Sequence, residues 1–76
     1  MVNMLNAKSF KNVVNAIGDN EPVYIIDKNG IGIGWIMIKE IKINDPERFV
    51  VTNHKGGCYS SAKYTFLSLE DYYNNF

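Results

Sequence analysis

The sequence predicts an α+β fold: an N-terminal helix packed on a four-stranded antiparallel meander, followed by a short C-terminal helix. Three observations predict it. Apolar residues recur at helical spacing up to Ile17 and at every second position from Val23 onward. Asn29-Gly30 lies between two apolar runs, which is the strongest short-range hairpin signal. Two further turn clusters, "NDPE" and "HKGG", divide the rest of the chain into strand-length pieces.

The helix comes first. Phe10, Val13, Val14 and Ile17 follow the i, i+3, i+4, i+7 pattern of one buried stripe. Lys8, Lys11, Asn12 and Asn15 fall largely on the other side. Asn6 is the expected N-cap, with Leu5 and Phe10 as a hydrophobic staple, and Gly18 is the expected left-handed C-terminal residue.

"VYIID" from Val23 is the first strand, and "IGIGWIMIKEIKI" the long second one. In the second strand the odd positions, including Ile31, Ile33, Trp35 and Met37, are apolar except Lys39. The even positions are apolar only in the first half, at Ile36 and Ile38. The odd face is therefore expected to be core, with the helix on Ile31, Ile33 and Trp35. "RFVVTN" is the third strand and "CYSSAKYTFLSL" the fourth. Ser68 then caps the terminal helix "LEDYYNNF", with Asp71 three residues on as an approximate capping box.

Within "NGIGIGW" a glycine stands at every second position, Gly30, Gly32 and Gly34. A dinucleotide fingerprint fails, because Trp35 replaces the third glycine and a strand follows instead of a helix. A calcium loop fails because Ile31 and Ile38 fall where oxygen ligands belong. The favoured reading is close approach within the chain. A two-residue turn sets Ile25 opposite Gly34; a three-residue loop sets Ile26 opposite Gly32 and Tyr24 opposite Gly34. The competing reading is a flat surface for a partner or a second copy.

Seventy-six residues without linker or repeat predict a single domain, 1–76. Eight basic and eight acidic side chains leave no net charge, which argues against nucleic acid as the main partner. One cysteine excludes an intrachain disulfide, and Cys58 with His54 is too small a set for structural zinc. A Cys58–His54 nucleophilic pair in a tight turn lacks an orienting third group and a dry pocket. The carboxylates sit at element ends, so an enzyme is not expected, nor is any cofactor or metal. "MVNMLNAKSF" lacks a signal peptide's basic start and apolar run, so a cytoplasmic location is expected, with no membrane association.

The stretch "FKNVVNAIGDNEPVYIID" resembles a helix–turn–strand opening common in small phage and prophage proteins of unknown function. The likeness carries no functional residue. The expectation is a small non-enzymatic accessory protein that binds another macromolecule. A phage or mobile-element inhibitor or modulator of a host protein, such as a defence system, is its concrete form. Candidate partner-binding residues are Ile36, Ile38, Tyr72, Tyr73 and Phe76, and a homodimer is a further expectation. The alternative is a nucleic-acid binder that uses Lys39, Lys42, Lys55 and Lys63 interleaved with Trp35, Tyr59, Tyr64 and Phe66.

Overall fold

Helix α1 runs over Val2–Asp19 in the computed structural model, which describes residues 2–75 and the side-chain surroundings of residues 8–74. It starts four residues before Asn6, so Asn6 lies inside the helix and is not its cap. At the other end the left-handed residue is Asn20, with φ of 57°, rather than Gly18. The Glu21 N–H returns to the Ala16 carbonyl at 3.0 Å, the outer bond of a Schellman motif. Asparagine suits that position because its short polar side chain tolerates left-handed backbone.

Five strands follow, not four: β1 (Pro22–Asp27), β2 (Gly32–Ile41), β3 (Val50–Asn53), β4 (Cys58–Ser60) and β5 (Tyr64–Leu67). The run expected as one fourth strand breaks at residues 61–63. Its small polar residues close a turn in which Ser60 supplies both acceptors: its Oγ to the Ala62 N–H and its carbonyl to the Lys63 N–H. Helix α2 (Leu69–Asn75) ends the described chain, and the Asp71 N–H donates to Ser68 Oγ at 3.1 Å as the cap predicts.

The sheet is antiparallel throughout, in the order β4-β3-β2-β1-β5. Its two outermost strands are joined by only three residues, so the sheet must curl until its edges approach. Tyr59 on β4 and Tyr64 on β5 meet across that gap with ring centroids 5.7 Å apart. Val13 and Ala16 of α1 fill the concave side together with Val23, Ile25, Ile38, Phe49, Val51 and Phe66.

Two expectations about faces are overturned in part. On α1 Phe10 and Val13 face the core as expected, but the stripe continues through Ser9, Asn12 and Ala16, while Val14 and Ile17 are exposed. On β2 the core face is the even one as far as Ile38: Ile38 is buried and Ile36 packs on the core, while Ile31, Ile33 and Trp35 are exposed; past the bulge between Ile38 and Glu40 the odd residue Ile41 packs on the core, as expected. The pairing decides it, since Val23 and Ile36 are partners and Ile25 is opposite Gly34. Residues paired across a ladder share a face, so β1 carries the even side of β2 inward.

The two hairpin registers weighed from sequence both occur. Next to the turn, Ile26 pairs with Gly32, and Asp27 N–H reaches the Ile31 carbonyl across a three-residue loop with Gly30 at φ 83°. Beyond a bulge the register becomes Ile25–Gly34 and Tyr24–Trp35, that of a two-residue turn. Ile33 is the inserted residue, and Gly34 beside it takes φ of 145°.

Candidate functional site

Tyr24 and Trp35 are cross-strand partners on the convex side of the sheet, away from α1. Their rings meet edge-on, with centroids 5.1 Å apart. Helix α2 lays Tyr72 over both, at 4.6 Å from Tyr24 and 4.8 Å from Trp35. Each ring thus touches the other two, and the cluster has no room to enclose an ammonium between its faces. Gly32 makes this arrangement possible: a Cβ there would collide with the hydroxyl end of the Tyr24 ring. Gly34 meets nothing within 4 Å and is needed instead for its backbone angle.

Around this cluster the convex side stays apolar and open. Trp35 and Met37, alternate residues of β2, are 40% and 37% exposed, Ile33 at the bulge is 53% exposed, and Tyr73 is 72% exposed. Such a patch on a small protein marks a contact surface more often than an accident of composition. Next to it a notch of about 360 Å³ is bounded by Trp35, Ile36 and Met37 on β2 and by Asn53, His54 and Lys55 where β3 turns. The Asn53 side chain builds that turn, its Oδ1 accepting from the Lys55 N–H at 3.0 Å and the Gly57 N–H at 2.7 Å. His54 and Lys55 are left exposed on the rim.

Of the residues singled out from sequence, Tyr72 and Tyr73 lie at this surface, while Ile38 is interior and Ile36, which packs on the core, also borders the notch. Phe76 is outside the described residues. Trp35, Met37 and Ile33 were missed as surface residues because their strand is apolar on both faces where they stand. The Lys-and-aromatic constellation disperses: Phe66 is fully buried, and Tyr59 and Tyr64 pack on the core, leaving Trp35 beside Lys55.

A larger groove of about 760 Å³ runs between α1 and the start of α2. Its one buried charge, Asp71, is already engaged, by an exposed Lys8 and by Asn12. Asp71 accepts from Lys8 Nζ at 2.9 Å and from the Asn12 side chain at 2.9 Å. Burial alone would raise the Asp71 pKa. The hydrogen bonds from Lys8 and Asn12, the Lys8 charge and the Ser68 contact outweigh it, and the net shift is downward. The Lys8 pKa is raised, chiefly by the hydrogen bond to Asp71. This network joins elements of the fold rather than opening toward a ligand.

Among the described residues no three His, Cys, Asp or Glu side chains come together as a metal site, and no helix is long and apolar enough to cross a membrane. No protein-family model, curated protein or solved structure matches the chain.

Proposed function

We propose that this is a non-enzymatic binding module that docks a protein partner on the convex face of the β1–β2 hairpin. The three-ring cluster of Tyr24, Trp35 and Tyr72, surrounded by exposed Ile33, Met37 and Tyr73, carries the proposal. Aromatic side chains supply large contact area at low conformational cost, and here they are held rigid before any partner arrives. The concrete form we favour is a cytoplasmic inhibitor or modulator, of phage or mobile-element type, that occupies a surface of a host protein. A single-stranded nucleic acid is the less favoured partner, because successive bases need successive exposed rings and a basic track.

Affinity capture from the native cell background tests this, comparing the tagged protein with a Trp35→Ser, Tyr73→Ser double variant. The expected result is a protein retained by the wild type and lost from the folded variant. Identical captured proteins, or nucleic acid as the retained species, would overturn the proposal.

A further inference from the structure

We infer that the notch beside Trp35 receives a large apolar side chain from an acidic segment of the partner, one in which carboxylates flank that residue. The inference rests on the docking surface proposed above and specifies what it recognises. The floor is apolar, from Trp35, Ile36 and Met37. The rim is one-sided in charge. Lys55 and the His54 imidazole border it, and no carboxylate lines it. In a chain with eight bases and eight acids this is a local asymmetry.

Neither side chain is ion-paired among the described residues; the Lys8–Asp71 bridge joins α1 to α2. Both are exposed, and the turn between β3 and β4 is closed by the Asn53 side chain rather than by either of them. Unpaired donors around an apolar floor match a ligand that offers acceptors around an apolar centre. At about 360 Å³ the notch is at the lower end of ligand-sized sites, suited to one side chain and not to an extended ligand. A single-stranded nucleic acid fits less well, because Trp35 is the one large ring at the notch, with only the smaller His54 imidazole beside it, too short a stack for successive bases.

Trp35 is the chain's one tryptophan, so its emission reports occupancy directly. The probes are a capped heptapeptide of glutamates around a central phenylalanine, its lysine counterpart and a short oligothymidylate. The acidic peptide is expected to shift Trp35 emission and to bind at least about tenfold more tightly than the lysine peptide. That binding weakens as salt rises. Lys55→Glu should abolish or reverse the preference, while Lys11→Glu, on α1, should leave it intact.

Equal or reversed preference in the wild type, tighter binding of the oligothymidylate, or no response to the acidic peptide would overturn the inference. So would a dimer of the free protein that Lys55→Glu dissolves, since the notch would then belong to a second copy. If peptide binding fails while the capture experiment still yields a protein lost from the Trp35 and Tyr73 variant, the docking surface stands and only its acidic specificity falls.

Discussion

Asn12 and Asp71, 59 positions apart in the chain, are joined by a 2.9 Å hydrogen bond that ties the first helix to the last. The same Asn12 amide donates to the Phe66 carbonyl at 3.0 Å, and Ser9 Oγ, on the preceding turn of α1, accepts from the Phe66 N–H at 3.1 Å. Two polar side chains on the buried stripe thus serve both main-chain groups of one strand residue.

Asn12→Ala leaves the Phe66 carbonyl and an Asp71 oxygen short of a donor in a buried setting. A loss of about 1–3 kcal/mol is expected, read by urea or thermal unfolding. Asn12→Leu should be no better despite its greater apolarity. A Leu variant as stable as wild type would show that the hydrogen bonds are dispensable.

The lowered Asp71 pKa predicts an acid-sensitive contribution. A carboxylate whose folded pKa is depressed stabilises the fold fully above its unfolded value, near 3.8. That contribution is lost as pH falls through the lower folded value. Asp71→Asn should therefore flatten the acid limb of the stability profile below about pH 4 while lowering stability at neutral pH. Lys8→Ala should move the Asp71 pKa upward in an NMR titration, because Lys8 both donates to it and supplies the opposing charge.

The two strand glycines should fail for different reasons. Gly32→Ala displaces the Tyr24 ring, and Gly34→Ala forces a side chain onto backbone at φ 145°. Each is expected to cost about 1–3 kcal/mol. Adding Tyr24→Leu should recover part of the loss for Gly32→Ala and none for Gly34→Ala. Equal rescue of both would mean the Tyr24 ring is not what excludes a side chain at Gly32.

Phe66→Ala and Trp35→Ala separate core from surface. Phe66 is fully buried, and its loss should cost about 3–5 kcal/mol, enough to unfold a domain of this size. Trp35 is 40% exposed and contributes mainly ring contacts, so about 1–2 kcal/mol is expected and the protein stays folded. Comparable losses in thermal melts would place Trp35 in the core.

Local chemistry was the more legible part, though not at α1, where neither the Asn6 cap nor the Gly18 terminus is found. The Asn29-Gly30 loop, the Pro46 turn with Arg48 N–H on the Asp45 carbonyl, and the Ser68 cap each follow from nearest neighbours alone. Which face of β2 turns inward did not, because Trp35 and Met37 on one side are as apolar as Ile36 and Ile38 on the other. That choice is made by β1, through Val23 and Ile25. Asn12 was assigned to the wrong side of α1 for a related reason: a buried asparagine makes sense only once a distant carbonyl needs its donor. The surface site inherits both difficulties, since its apolar residues resemble core in sequence.

The service that Ser9 and Asn12 perform for Phe66 also bears on aggregation. β5 is a terminal strand of the sheet, and unpaired main-chain groups on such a strand recruit further strands from other molecules. Here α1 takes the place of that intruder, offering a hydroxyl oxygen and an amide N–H where another backbone would offer the same. Fraying or removal of α1 would bare an apolar, β-competent edge, so intermolecular strand addition through β5 is the expected route by which damaged molecules assemble.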